Sequence, residues 1–108
     1  SLVVLMKVQE GNALFMADAG EMAERRVEEY LNGEQIDIYQ VAHHGSANGT
    51  NTEDFIETIR PKMAVISCGY KNSYNHPHKE TIERLTQTSS AVMILRTDES
   101  GRISIKID

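Results

Sequence analysis

The first stretch of the chain alternates apolar with other positions in the manner of a β-strand. The apolar members of one side are four residues spaced two apart: Leu2, Val4, Met6 and Val8. Such a run, rich in apolar and β-branched side chains, predicts a strand that is buried on at least one face. A turn at residues 9–12 separates it from a second short strand, Ala13 to Ala17, which ends at Asp18. We therefore expect an antiparallel hairpin at the start of the chain.

Beyond residue 20 the apolar spacing switches between helical and extended periods, which is typical of α/β proteins. Three helices are predicted: Gly20 to Leu31, Glu53 to Ile59 and Pro77 to Thr88. Four further strands are predicted: Ile36 to Ala42, Met63 to Cys68, Ala91 to Leu95, and a last strand that carries Ile103, Ile105 and Ile107. The order β-β-α-β-α-β-α-β-β predicts a single α/β domain over residues 1–108, with a mixed β-sheet and helices on one face.

The faces and ends of the helices are also predicted. In the first helix, the spacing groups Met22 and Tyr30 with the core-facing residues and leaves Glu24 among charged residues on the solvent side. The pair Asn32-Gly33 is expected to close this helix, because helix C-termini favour left-handed backbone. Thr52 is expected to cap the second helix.

Composition narrows the classes of function. The chain has 108 residues, of which 40% are hydrophobic and 25% are charged, which is ordinary for a folded domain. Its formal net charge of −5 argues against a protein that holds nucleic acid by bulk electrostatics, although bound divalent cations could still meet phosphate locally. A single cysteine, Cys68, excludes an internal disulfide. The longest uncharged apolar run, Leu2 to Met6, is far shorter than the ~20 residues of a membrane helix.

Residues able to bind metal or transfer protons recur just after predicted strands. Asp18 ends the second strand, His43 and His44 end the third, and a polar loop that ends in His76 follows the fourth. In a sheet whose strands run the same way, such positions share one edge, where open α/β sheets bind ligands. We therefore expect these side chains to lie near one another.

Each of these residues also has a structural interpretation. Asp18 could bridge two cations, or it could cap the first helix. Neighbouring side chains at a strand end point to opposite faces, so one of His43 and His44 could face a metal and the other a substrate; alternatively, both are partly exposed residues of a polar turn. His76 precedes a helix N-terminus and could act as a general acid, because an imidazole has an unperturbed pKa of about 6.5, or it could cap the helix. His78 is expected on the helix surface.

Three segments taken together resemble one family. They are the hydrophobic hairpin that ends at Asp18, the segment Val41-Ala42-His43-His44-Gly45-Ser46, and the segment Asn72-Ser73-Tyr74-Asn75-His76-Pro77-His78. In this order and spacing they resemble the metallo-β-lactamase-fold hydrolases of the ComEC competence-protein type, over nearly the whole chain. The resemblance implies that Asp18 is a metal-bridging carboxylate, that His44 is a ligand of one metal, and that His43 and His76 lie near the substrate as catalytic groups. It also implies two divalent ions, zinc or manganese, in the complete site of a phosphodiesterase or nuclease that acts on DNA in DNA uptake and is attached to a membrane channel.

The chain departs from that family in ways that carry expectations of their own. The family's His-x-His-x-Asp-His motif is absent, so the resemblance is to the C-terminal half of the fold, and Ala17 stands where the family usually has glycine. A two-metal site needs roughly four to six protein ligands, and this chain offers Asp18 and His44, with His43 as a third at most, so we expect weak metal binding and negligible hydrolysis by this chain. The sheet face meant for the missing N-terminal half should be apolar, which would promote a homodimer. A second hypothesis is a non-catalytic interaction domain that keeps the fold without a complete metal site.

Overall fold

Within the residues that the structure describes, five strands form a central sheet that carries three helices. The computed structural model describes residues 3–8, 11–67, 77–88 and 92–97. The strands are β1 (Val4–Val8), β2 (Gly11–Phe15), β3 (Ile38–Gln40), β4 (Met63–Ile66) and β5 (Met93–Arg96), and the helices are α1 (Glu21–Leu31), α2 (Glu53–Ile59) and α3 (Lys79–Thr88). In these ranges, no helix combines the length and the hydrophobicity that crossing a bilayer requires.

The strands follow the order β1-β2-β3-β4-β5 across the sheet. β1 pairs antiparallel with β2, whereas the other neighbouring pairs are parallel. The N-terminal hairpin and the mixed α/β sheet are therefore confirmed. Because β2, β3, β4 and β5 run in the same direction, their carboxyl ends lie at one edge of the sheet. We call this edge the rim.

One face of the sheet, the covered face, packs against the helices. A row of directly opposed residues crosses the five strands on this face: Leu5, Leu14, Tyr39, Ala64 and Ile94. The three central members of this row are fully buried and share one core with the helices. The Tyr39 ring meets the Phe55 ring of α2 edge to face, with centroids 5.9 Å apart. α2 contacts both α1 and α3, so the helices form one layer on this face.

The opposite face of the sheet exposes large apolar side chains. Residues that are directly opposed, or two apart in one strand, point to the same side of a sheet. The register therefore groups four residues, which we call the open face: Val4, Met6, Phe15 and Met93. Their exposed fractions are 40%, 44%, 37% and 54%. An apolar sheet face is what the resemblance implied, and the structure has one.

The third strand is shorter than predicted. It covers Ile38–Gln40 rather than residues 36–42. At its start, the Ile36 amide donates to Ile59 O at 3.1 Å, outside the ladder with the neighbouring strands. At its end, the chain enters a short turn with left-handed backbone at His43 and His44, Ala42–Gly45, which we call the histidine turn.

The third helix begins later than predicted. Its first residue is Lys79, two positions after the expected Pro77. The His78 amide donates to Gly45 O at 2.9 Å, so the residues before the helix are held by the histidine turn. The predicted segments over residues 68–76 and 98–108, which include His76 and the last strand, lie outside the described residues.

The predicted C-terminus of α1 and the predicted N-cap of α2 are confirmed. α1 ends at Leu31; its C-cap residue, Asn32, has a left-handed φ of 49°, and Gly33 follows with a φ of 89°. The Thr52 hydroxyl accepts a hydrogen bond from the Phe55 amide at 3.3 Å, which is the expected N-cap of α2.

The predicted face of α1 is wrong in three positions. Glu24, expected in solvent, is 1% exposed, whereas Met22 and Tyr30, expected in the core, are 75% and 71% exposed. Ala23, Val27 and the buried Leu31, which the spacing also groups with the core, do pack there, so the helix is rotated relative to the predicted face. This rotation brings the Glu24 carboxylate to the start of α2, where it accepts hydrogen bonds that replace those it loses from water.

Candidate functional site

The turn that carries Asp18 lies beside the histidine turn at the rim. The His43 amide donates to Ala17 O at 2.6 Å, and the Ala17 amide donates to Gln40 Oε1 at 3.2 Å. These two bonds join the end of β2 to the end of β3. The prediction that Asp18, His43 and His44 meet at one edge is therefore confirmed for the backbone segments that carry them.

Asp18 is exposed in a turn whose backbone is unfavourable for its sequence. The preceding residue, Ala17, has a φ of 54°, in the left-handed region that glycine adopts without a Cβ clash. Alanine there costs roughly 1–2 kcal/mol. The N-cap position of α1 is Gly20, two residues further on, so Asp18 is not the N-cap residue of that helix.

His43 and His44 do not alternate across a strand, contrary to expectation. β3 has already ended at Gln40, and the two histidines have φ values of 52° and 54° in the histidine turn. Both are exposed, their ring centroids are 6.4 Å apart, and the ring planes are 88° apart. The backbone turn, rather than strand pleating, therefore sets their directions.

The His44 ring is held in one tautomer. Its Nδ1 lies 2.7 Å from Ser67 O, at the end of β4. A carbonyl oxygen only accepts hydrogen bonds, so Nδ1 carries the proton and, in the neutral ring, Nε2 carries the lone pair. Histidines that bind metals usually donate their second ring N–H in this way.

Gly45 allows the loop before α3 to approach the histidine turn. Its φ is 88°, and a Cβ placed on it would lie 2.8 Å from Pro77 Cα and closer still to the proline ring. His78, next in the chain, is half-buried, and its Nδ1 accepts a hydrogen bond from the Ala47 amide at 2.9 Å. The expectation of a merely surface His78 is therefore wrong, because this ring ties α3 to the loop after the histidine turn.

The donor set at the rim fits part of a metal centre. An exposed carboxylate, Asp18, and an oriented imidazole, His44, are ligand types that zinc and manganese accept. Within the ranges 3–8, 11–67, 77–88 and 92–97, no three histidine, cysteine or acidic side chains are grouped so that they could hold one ion. His76, expected near substrate, lies outside these ranges.

Two buried polar residues behind the rim were not found from sequence. Asn51 is fully buried, and Glu24 is nearly so. Burial raises the pKa of the Glu24 carboxyl, and its hydrogen bonds with Thr52 and Asn51 lower it again in part. Burial also raises the pKa of Tyr39, whose hydroxyl donates to Asn51 Oδ1. A signal for Glu24 existed in its position between Ala23 and Val27, at the border of the apolar face; none marked Asn51 in its polar loop.

Comparison with known proteins gives relatives but no matching family model. The chain is 34% identical over 106 residues to ComE operon protein 3 of Bacillus subtilis (strain 168), and 34% identical over 105 residues to Recombination protein 2 of Haemophilus influenzae. These alignments cover 98% and 97% of this chain but 13% of each relative, so the chain spans a small part of their length. Competence protein ComA of Neisseria gonorrhoeae is 35% identical over 66 residues, which is 61% of this chain and 9% of that protein.

Proposed function

We propose that this chain is part of a metal-dependent phosphodiester hydrolase of the metallo-β-lactamase fold, acting in competence and DNA uptake. The observation that carries the proposal is the 2.7 Å hydrogen bond between His44 Nδ1 and Ser67 O, because it directs Nε2 as a ligand nitrogen. The adjacent Asp18 turn adds a carboxylate at the same rim. Relatives whose names refer to recombination and competence support a role in handling DNA.

In this proposal some residues at the rim bind metal and others transfer a proton. Asp18 and His44 would hold divalent ions, zinc or manganese. When bound, two such ions polarise a phosphodiester and activate a water molecule for attack. His43, on the same turn as His44, or His76 gives a proton to the leaving oxygen.

The ligands that complete the centre would come from another segment of a longer protein. Two ligands are fewer than a two-metal centre needs, and the matched relatives are far longer than this chain. In the proposal, the missing half of the fold packs on the open face, sheet against sheet, and covers Val4, Met6, Phe15 and Met93. A second copy of this chain is the competing occupant of that face.

The distribution of charge favours approach of DNA to the rim rather than to the helix layer. The net charge is −5, and the helix layer exposes carboxylates on α1 and α2, among them Glu29, Glu53 and Asp54. Phosphates would be repelled there, whereas bound cations would attract them at the rim.

The test uses the full-length protein with Asp18→Ala or His44→Ala, and Asp54→Ala as a control at an exposed carboxylate. Mn²⁺ binding is measured by equilibrium dialysis and cleavage by release of a labelled DNA oligonucleotide. Both site variants should lose more than about 100-fold in Mn²⁺ affinity and cleavage, the upper range for removal of a residue that only supports a ligand. Undiminished binding and cleavage by Asp18→Ala would exclude it as a bridging ligand.

The second candidate is a non-catalytic interaction domain, which the exposed apolar side chains of the open face favour. DNA uptake by cells separates the two functions. Uptake that survives Asp18→Ala but is lost with Phe15→Lys would support the interaction domain, whereas uptake that is lost with Asp18→Ala would support the hydrolase.

A further inference from the structure

The histidine turn has a backbone conformation that its own residues do not favour. His43, His44 and Gly45 follow one another with φ values of 52°, 54° and 88°. Left-handed backbone is costly for residues that carry a Cβ, and two of these three do. Such a conformation persists when the surrounding structure holds it. The contacts on either side of the turn therefore decide where the two imidazoles lie.

One buried side chain bridges both ends of the turn. Asn51 Nδ2 donates to Ala42 O at 2.8 Å and to Ser46 O at 2.7 Å, the residues that flank the His-His-Gly sequence. Asn51 Oδ1 accepts from the Ala42 amide at 3.2 Å and from the Tyr39 hydroxyl. Both donors and both acceptor sites of the amide are thus used. Because Nδ2 faces two carbonyl oxygens, the reversed amide orientation is excluded.

Asn51 is itself held by charged side chains from two helices. Its backbone N–H donates to Glu24 Oε2 of α1 at 2.6 Å, and its backbone carbonyl oxygen accepts from Arg84 Nη1 of α3 at 2.9 Å. The backbone N–H of Asn51 therefore faces a negative carboxylate, and its backbone carbonyl faces a positive guanidinium. The Arg84 guanidinium also reaches Ala47 O at 3.4 Å, in the loop between the turn and Asn51.

We infer that Asn51 is a positioning residue, which fixes the histidine turn so that the His44 ring reaches Ser67 O and presents Nε2 at the rim. Glu24 and Arg84 act through Asn51, since both bond its backbone and their other hydrogen bonds are to Thr52 and Ala47, not to the histidines. What this inference says about metal affinity rests on the proposed function, whereas what it says about the turn does not.

The experiment replaces Asn51 by aspartate in the full-length protein. Asn51→Asp keeps the size of the side chain but turns an oxygen toward the carbonyls of Ala42 and Ser46. Asn48→Asp, at an exposed position of the same loop, is the matched control. Hydrogen–deuterium exchange of peptides covering residues 42–47 should become about tenfold faster, with peptides of α1 unchanged. Mn²⁺ affinity, measured by electron paramagnetic resonance of the free ion, should fall about 10- to 100-fold.

A second variant keeps the inference testable if Asn51→Asp does not fold. Arg84→Gln removes the charged donor to Asn51 O from a half-buried position and should give the same local change at a smaller size, with the exposed Arg26→Gln as control. The inference would be overturned if exchange over residues 42–47 stayed at the rate of the control variant. It would also be overturned if exchange in every helix became faster by the same factor as exchange over residues 42–47. If the unmodified protein binds no Mn²⁺, the proposed function fails, and the exchange rates still decide the role of Asn51.

Discussion

The two faces of the sheet carry similar side chains in opposite surroundings. Leu14 and Phe15 are neighbours in β2, yet Leu14 is 0% exposed on the covered face and Phe15 is 37% exposed on the open face. On the covered side, polar groups are also buried near the rim, because Glu24 and Asn51 have hydrogen-bond partners there. The open face is apolar, and in the part of the chain that the structure describes no helix packs over its exposed residues. Hydrophobicity alone therefore does not tell which face is the core of this chain.

The largest expected difference lies between truncations on the two faces. Leu14→Ala should lower the free energy of unfolding by about 2–5 kcal/mol, because it leaves a cavity in the fully buried row. Met93→Ala should lower it by about 0.5 kcal/mol, because that side chain is 54% exposed. Urea unfolding of the chain measures both. Equal losses would mean that the open face is as well packed as the covered face.

The next test asks why the covered side tolerates a carboxylate. Glu24→Gln keeps the shape but points an amide N–H at a backbone donor of Asn51 or Thr52, so unfolding should become easier by about 1–3 kcal/mol. Glu29→Gln, exposed on the same helix, is the control and should change little. A loss no larger than that of the control would show that the hydrogen bonds of Glu24 do not stabilise the fold.

The pH dependence of stability sharpens the same point. Because burial raises the pKa of Glu24 above its ordinary 4.5, the folded chain binds this proton more tightly than the unfolded chain does. The stability due to this group should therefore increase as pH falls from the raised pKa toward 4.5, and it should be constant above the raised pKa. The difference in free energy of unfolding between the unmodified chain and Glu24→Gln, measured by urea unfolding across this range, should follow that curve. A flat difference would contradict the raised pKa.

A smaller loss is expected from the hydroxyl under the rim. Tyr39→Phe removes one hydrogen bond to Asn51 Oδ1, which still accepts from the Ala42 amide, so the loss should be about 0.5–1.5 kcal/mol. Tyr30→Phe, at a ring that is 71% exposed, should be nearly neutral. Thermal unfolding of the chain measures both variants. Similar effects of both substitutions would show that the buried hydroxyl adds nothing to stability.

Periodicity predicted the order of the strands and helices because their apolar positions repeat at strand or helix spacing. The caps at Thr52 and Asn32 follow from local backbone chemistry and were found for that reason. The rotation of α1 was missed, because Met22 and Glu24 are both close to the apolar face and only the partners of Glu24 decide between them. These partners lie 27 and 28 residues away in the chain, which no local pattern reveals.

The candidate site was predicted in position but not in conformation. Strand ends bring Asp18 and His44 to one edge, as the order of elements required. The left-handed backbone of the histidine turn depends instead on Asn51 and on Ser67 O, which are supplied by other elements. Sequence spacing can thus name candidate ligands, whereas their orientation is a tertiary property.

The smallest effect on stability, and the sharpest test of the open face, is expected from Phe15→Lys. A lysine at this partly exposed position should change the free energy of unfolding of the chain itself by about 0.5 kcal/mol, as should Met22→Lys on exposed α1. The two variants should differ once the open face has a partner, because a charge buried there is left without a counter-ion. If another half of the fold covers the face, as proposed above, Phe15→Lys should lower the thermal midpoint of the full-length protein, and Met22→Lys should not. If a second copy covers it, sedimentation should show that only Phe15→Lys turns a dimer of the chain into a monomer. No difference between the variants in either measurement would mean that the open face remains exposed in the working protein.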